Sequence, residues 1–211
     1  MLISFSEILR IYRIQPRGVF HVGANTGQEA QSYFDSGIER VIWVEAIPKV
    51  FNELCNHVYP FSPKMQSKSF NECVSDTDGQ EVEFKITNNA GESSSFLDLE
   101  THKQAHPEVH VVETIKCITK KLDTLISENN IDVSEYDFLN MDLQGAELLA
   151  LKGMKDNLHK VKYAYLEVNR EELYKDCARV EQLDEFLKEF GLHRVQTEWT
   201  NFGWGDAYYS R

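Results

Sequence analysis

The hydrophobic period of this chain switches repeatedly between that of a buried strand and that of an amphipathic helix, and no other property restricts its fold as much. Gly18–Val22, "RVIWVEA" (Arg40–Ala46), "YDFLNMDL" (Tyr136–Leu143) and "VKYAYLEV" (Val161–Val168) are short, nearly continuous apolar runs. Between and after them, Gly27–Ser36, Lys49–His57, Asp123–Asn130, Gly145–Met154 and Arg179–Leu192 repeat their apolar residues at helical spacing. Strands without a polar alternate are buried on both faces, so the order implies a mostly parallel sheet covered by helices on either side. "SKSFNECVSD" (Ser67–Asp76) predicts a third strand, "QEVEFKIT" (Gln80–Thr87) a half-exposed one, and Thr114–Leu122 another. The tail holds two β-rich runs around "NFGWG", a hairpin that implies an antiparallel strand at an edge. Residues 88–109, rich in Gly, Ser, Asn and Pro, have no period and predict a long loop region. Asp123 is placed as a helix N-cap.

Composition narrows the partners. Lys+Arg 22 against Asp+Glu 34 gives a net charge of −12, which disfavours a non-specific grip on nucleic acid or an anionic membrane. Cys55, Cys73, Cys117 and Cys177 lie far apart without a Cys-x-x-Cys pair, an expectation of reduced thiols in a cytoplasmic protein with no zinc site. Leu2, Phe5, Ile8, Leu9 and Tyr12 share one helical face, so residues 1–17 predict a short helix ended by Pro16 and packed on the core; Glu7, Arg10 and Arg13 interrupt any export signal. No stretch is long enough to span a bilayer. No linker divides residues 18–211, which are expected to form a single domain.

The first strand ends in "HVGANTG", a turn with Gly23 and Gly27 that lets the backbone approach a ligand and presents the amides of the next helix. Alone it serves a nucleotide-type ligand or a plain tight turn. Glu45 ends the second strand, where a carboxylate can accept hydrogen bonds from both hydroxyls of a ribose, and the pair favours an adenosyl ligand. NAD and S-adenosylmethionine both satisfy that placement. The turn departs from G-x-G-x-x-G, the fingerprint of a pyrophosphate site, and so leans towards S-adenosylmethionine, whose methionine tail needs only turn amides and side chains such as Asn25 and Thr26.

"HVGANTGQ", "VIWVEAIPKVFNEL", "NECVSDTDGQEVEF", "SSSFL", "KKLDTLI", "YDFLNMDLQGAELLALKGM" and "YAYLEV" occur in that order. The succession, covering about Gly18 to Leu192, resembles the FkbM family of S-adenosylmethionine-dependent methyltransferases. Its most specific parts are the Gly-Ala-Asn-x-Gly turn and "MDLQGAELLALKG", which resembles the family's Asp-x-x-Gly-x-Glu segment. His21 stands where the family usually has an acid, and Gln144 where it commonly has Glu. The resemblance implies an α/β, Rossmann-like class I methyltransferase with a seven-stranded, mostly parallel sheet, an antiparallel C-terminal strand and helices on both faces. It implies methyl transfer from S-adenosylmethionine to a hydroxyl of a sugar or secondary metabolite. Gly23, Ala24, Asn25, Thr26 and Gly27 are then expected along the methionine tail, Glu45 on the ribose, and Ala46, Ile47, Cys73, Val74 and Ser75 around the adenine, with Asp142 beside the cofactor. Small-molecule or saccharide acceptors are expected, and neither nucleic acid nor membrane. A non-catalytic module retaining the fold, or an NAD-dependent oxidoreductase, is the alternative.

Methyl transfer to a hydroxyl needs alignment and a proton acceptor. Asp142 and Glu167 end strands on the same sheet edge and are the carboxylates placed for it; Asp142 can equally cap the following helix, and Glu147 reads as a first-turn helix carboxylate. No metal is assigned, although these three would offer hard oxygen ligands. His102 and His106 supply alternative bases near neutral pH, with exposed loop histidines as the plainer reading. His21 reads as a satisfied core imidazole. Ser93, Ser94 and Ser95 suit either a polar contact or a plain loop, and Trp199, Phe202, Trp204 and Tyr208 either sugar stacking or hairpin packing.

Overall fold

The computed structural model describes residues 1–100 and 106–211. The main sheet has seven strands in the order β3-β2-β1-β7-β8-β10-β9. These are β1 (Val19–Val22), β2 (Arg40–Glu45), β3 (Gln66–Asn71), β7 (Phe138–Met141), β8 (Tyr163–Asn169), β9 (His193–Trp199) and β10 (Trp204–Ser210). β1, β2, β3, β7 and β8 run parallel, whereas β10 is antiparallel to both β8 and β9. The closing hairpin therefore inserts its second strand inside the sheet and leaves β9 at the edge.

Period-two alternation sends successive side chains to opposite faces. Phe20, Val22, Ile42, Val44, Leu139 and Met141 pack with α4 (Leu122–Glu128), α5 (Glu147–Lys152) and α6 (Val180–Lys188). Val19, Val41, Trp43, Phe138, Tyr165 and Tyr208 pack on the other face with α1 (Phe5–Tyr12), α2 (Ala30–Asp35) and α3 (Pro48–Val58). The N-terminal helix is held by Phe5, whose ring lies 4.8 Å from Tyr33 and 5.0 Å from Phe138. It stops at Arg13 in a left-handed conformation (φ 53°), before Pro16. Among the described residues no helix is long and apolar enough to cross a membrane.

Two sequence expectations change. The half-exposed strand β5 (Glu81–Thr87) leaves the main sheet: with β4 (Cys73–Val74) and β6 (Val111–Lys120) it forms a second sheet of three strands, ordered β4-β6-β5. "SKSFNECVSD" accordingly divides into β3 and β4, each in a different sheet. Asp123 is not the N-cap of α4. Asp78, 45 residues earlier, accepts from the Lys121 amide (2.7 Å) and the Thr124 hydroxyl (2.8 Å) at that helix start. Asp123 instead accepts from the Asp156 amide and Asn157. A distant carboxylate took the position that local sequence assigns to a neighbour.

β1 lies between β2 and β7, and the strand order reverses there. In open α/β sheets ligands bind outside the carboxyl ends of the strands at such a reversal.

Candidate active site

A cavity of about 590 Å³ opens at this reversal, within the range of about 300–1,000 Å³ usual for small-molecule sites. At one end Gly23 and Ala24 donate their amides to the Val44 carbonyl (2.9 and 3.0 Å), closing the turn onto β2. Gly23 (φ 78°) and Asn25 (φ 46°) are left-handed. A Cβ on Gly23 would lie 1.8 Å from the Asp142 carbonyl oxygen, so glycine is what lets the ends of β1 and β7 touch.

Glu45 is buried at the end of β2. Its two oxygens accept from the Asn25 amide (2.9 Å) and the Ile47 amide (2.8 Å), and Asn71 clamps the carbonyls of Glu45 and Ala46. Burial pushes its pKa up, and the amides pull it back down. Each oxygen keeps acceptor capacity, so a ligand diol fits this carboxylate without displacing a protein donor. Ala46, Ile47, Cys73 and Val74 continue the same wall. Three of the expected contacts fall elsewhere. Gly27 sits against α3, where a Cβ would come 2.7 Å from Leu54, and its left-handed turn serves packing. Thr26 faces α3 too, its carbonyl 2.9 Å from His57 Nδ1. Ser75 is buried under the second sheet, its amide donating to the Lys120 carbonyl. Spacing along the chain could not separate residues of a turn that point to opposite sides.

At the other end, register brings a row of polar side chains together. His21 pairs with Asn140, Asn140 with Tyr165, and Glu167 with Asp206 on the antiparallel strand. His21 is buried among Tyr33, Trp43 and Asn140, and burial lowers its pKa to about 4, so it is a neutral core imidazole at physiological pH. Tyr165 donates to Asp206 (2.8 Å), which also accepts from the Leu2 amide (2.6 Å). Asn140, Tyr165 and Asp206 were not legible as site residues. The polar Asn140 inside the apolar "FLNM" is the one local signal; Asp206 needs the hairpin register.

Asp142, Glu147 and Glu167 each offer an oxygen within 4.8 Å of the others. Gln144, itself left-handed (φ 52°), donates through one amide nitrogen to Asp142 (2.6 Å) and Glu167 (2.6 Å), while Tyr174 donates to its carbonyl oxygen (2.5 Å). Glu147 accepts from the Leu143 amide (2.7 Å) and the Gly145 amide (3.3 Å), stapling the turn that precedes α5. Glu147 is thus the first-turn carboxylate expected of it, and Asp142 is released from capping. Such an oxygen set could take a magnesium- or calcium-like cation if the Gln144 amide withdrew.

Close packing of carboxyl groups away from bulk water disfavours their charged forms. Asp142 opens onto the cavity yet is surrounded by protein; that setting, with Asp206 nearby, raises its pKa to about 6 against the donation from Gln144. Burial, then Asp142, raises Glu147 to about 7. Burial and the charges of Asp142, Glu147 and Asp206 push Glu167 well above the usual range. Burial therefore favours the neutral form of Glu167 more strongly than that of Asp142, which opens onto the cavity, and the two carboxyls are separated by environment.

A stability prediction follows from the sign. The folded pKa of Glu147 is raised, so its burial is tolerated without penalty below about pH 4.5 and destabilises increasingly as pH rises through about 7. Glu147→Gln, which keeps an oxygen for the Leu143 amide, should melt above the wild type at pH 8 and lose that advantage by pH 5. A melting-temperature difference that does not change with pH would show that the charge carries no such penalty.

The remaining candidates lie on the walls. Ser93 and Ser94 line the cavity but are structural as well: Ser94 accepts from the Thr87 amide (3.0 Å), and Ser93 accepts from Asn89 (3.0 Å). His106 lines the cavity, 4.7 Å from the Phe202 ring and 3.5 Å from Glu108, and Trp204 lines it too. Trp199 is covered by Arg170, 4.0 Å from its ring, and Tyr208 stacks on Tyr12. His102 lies outside the described residues.

Residues 21–193 match the family model of the methyltransferase FkbM domain. The 2-O-methyltransferase NoeI of Sinorhizobium fredii (strain NBRC 101917 / NGR234) is 24% identical over 181 residues, which cover 82% of this chain and 72% of NoeI. Magnesium protoporphyrin IX methyltransferase (ChlM) from Synechocystis PCC 6803 has a similar fold at 10% identity, with a TM-score of 0.55 over 98% of this chain and 75% of that one. A protein of the NADB-Rossmann superfamily from Streptococcus agalactiae does so at 13% identity, with a TM-score of 0.52 over 97% and 67%. The structural likenesses speak for the fold alone, whereas the family match runs through both the glycine turn and the carboxylate segment. The chain belongs to the FkbM family of S-adenosylmethionine-dependent methyltransferases.

Proposed function

We propose that this chain is an O-methyltransferase acting on a hydroxyl of a sugar or secondary metabolite. The observation that carries the reading is one continuous cavity joining the Gly23–Asn25 turn and Glu45 to Asp142 and Glu167. Gly23, Ala24 and Asn25 would hold the methionine tail, Glu45 the ribose, and Ala46, Ile47, Cys73 and Val74 the adenine. Bound there, S-adenosylmethionine supplies a methyl carbon whose bond to sulfur is replaced by a bond to the acceptor oxygen as the hydroxyl proton leaves.

Asp142 takes that proton. It faces the cavity from the end of β7, and its pKa of about 6 leaves it ionised but basic near neutrality. Gln144 fixes its orientation and ties it to Glu167, while Asp206, held by the Tyr165 hydroxyl and the Leu2 amide, faces the acceptor end. The name of NoeI, an O-methyltransferase, supports oxygen as the acceptor atom.

Calorimetry with S-adenosylhomocysteine and NAD in parallel, followed by a methyl-transfer screen over sugars and hydroxylated metabolites, tests the reading. Binding of neither ligand would favour a module that has kept only the fold. Glu45→Gln should weaken S-adenosylhomocysteine by roughly 1.5–3 kcal/mol, the worth of a hydrogen bond to a charged group, while its oxygen still serves one backbone amide. Unchanged affinity in a folded Glu45→Gln protein would remove Glu45 from the ribose.

A further inference from the structure

The charged side chains that line the cavity are predominantly acidic. On the side of the glycine turn it is lined by Glu29, Glu45 and Glu72, the last balanced by Lys120, and at the acceptor end by Asp142, Glu167 and Asp206. The loop wall adds Glu92 and Glu108. Among the described residues no lysine or arginine lines it, and the cation it does carry is the Met1 α-ammonium, whose charge reaches Asp142 and His21. Cations on the surrounding strands are engaged elsewhere: Lys85 on Asp98 (2.9 Å), Lys120 on Glu72 and Glu128 (2.7 and 3.1 Å), and Arg170 over the Trp199 ring. Protonation of Glu167 and the Met1 ammonium would each offset one charge and leave the net sign unchanged. Low-dielectric walls with a strong excess of one sign focus their field into a cleft.

Part of this field complements a sulfonium cation on the turn side. Asp142, Glu167 and Asp206 lie at the other end, where the methylated group would sit. A phosphate or carboxylate placed among them would have only the Met1 α-ammonium to pair with, in competition with Asp142, and burying an anion beside an excess of like charges is unfavourable. The uncharged lining suits a different group: Trp204 presents an aromatic ring, and Asn140 and Ser93 present amide and hydroxyl oxygens that can accept from a sugar hydroxyl or ammonium.

We propose that the acceptor is a polyol or sugar free of phosphate and carboxylate groups, and that an ammonium group on it strengthens binding. This rests on the cleft being the methyl-transfer site. It excludes nucleotide-linked sugars, sugar phosphates and uronic acids as acceptors, and it favours neutral and amino sugars.

The test uses four matched probes on protein saturated with S-adenosylhomocysteine: glucosamine, methyl glucoside, glucuronate and glucose 6-phosphate. Binding is read from Trp204 fluorescence, and methyl transfer from labelled S-adenosylmethionine. At about 20 mM salt the cationic and neutral probes should bind roughly tenfold or more tightly than the anionic ones, and the gap should narrow at about 0.3 M as screening shortens the field. Anionic probes that bind as well as their neutral counterparts overturn the proposal. A second measurement needs no acceptor. Collisional quenching of Trp204 by caesium and by iodide, each normalised to free tryptophan amide and corrected with Trp204→Phe, reads the sign of the cleft directly. Caesium should win by several-fold; equal access for iodide overturns the proposal even if every sugar fails. Loss of S-adenosylhomocysteine binding, by contrast, would strike the methyltransferase reading while the quenching still reports the charge.

Discussion

Asp142→Asn is expected to lower methyl-transfer turnover by about two to four orders of magnitude, the usual effect of losing a general base, without loss of stability. Asparagine matches aspartate in shape, and its oxygen can still accept from Gln144. The stability side has its own sign. Asp142 has a raised pKa, about 6, so its charged form is an unfavourable presence in the folded protein at pH 7–8. Neutral asparagine should therefore melt at the wild-type temperature or slightly above it. A lost helix cap would do the opposite, costing about 1 kcal/mol, but Glu147 and not Asp142 takes the turn amides here. The pH profile supplies an independent readout. Wild-type turnover should rise as pH climbs through about 6, because the base must be deprotonated, and that limb should vanish in the variant. Near-wild-type turnover in Asp142→Asn would pass the role to His106 or His102. Activity lost to a chelator and restored by magnesium would recast Asp142, Glu147 and Glu167 as metal ligands.

Gly23→Val is expected to abolish cofactor binding and destabilise the fold by roughly 3–5 kcal/mol, combining left-handed strain with overpacking. A domain of this size has only about 5–15 kcal/mol to lose. Gly37 provides the control. Its φ of 77° is the same as that of Gly23 within a degree, yet a Cβ there meets nothing within 4 Å. Gly37→Ala should therefore cost only the left-handed strain, about 1–2 kcal/mol, and leave S-adenosylhomocysteine affinity intact. Gly23→Ala should cost clearly more and lose affinity, because its Cβ would meet the Asp142 carbonyl at 1.8 Å and force β1 and β7 apart. Equal melting temperatures and affinities for the two alanine variants would show that contact between the strand ends is not what the glycine protects.

The sequence by itself determined the helix-covered parallel sheet, the glycine turn with Glu45, and the family, but not the second sheet. Each of these depends on residues close in the chain: period two or 3.6 sets the element, and the turn and the carboxylate segment are contiguous motifs. Tertiary structure alone decided which members of those motifs face the ligand. Gly23 meets Asp142 while Gly27, four residues on, packs on Leu54, because a turn of alternating conformation points its residues to both sides. It also decided the chemistry of the acceptor end. Glu167 and Asp206 are 39 residues apart and become neighbours only through the antiparallel β8–β10 register. The upward pKa shifts that set these carboxyls apart arise only once Asp142, Glu147 and Glu167 are brought together beside Asp206. A net charge of −12 was readable from composition; that the charge lines the cleft was not, because folding brings carboxylates from β2, β7, β8, β10 and the loop wall to a single sheet edge.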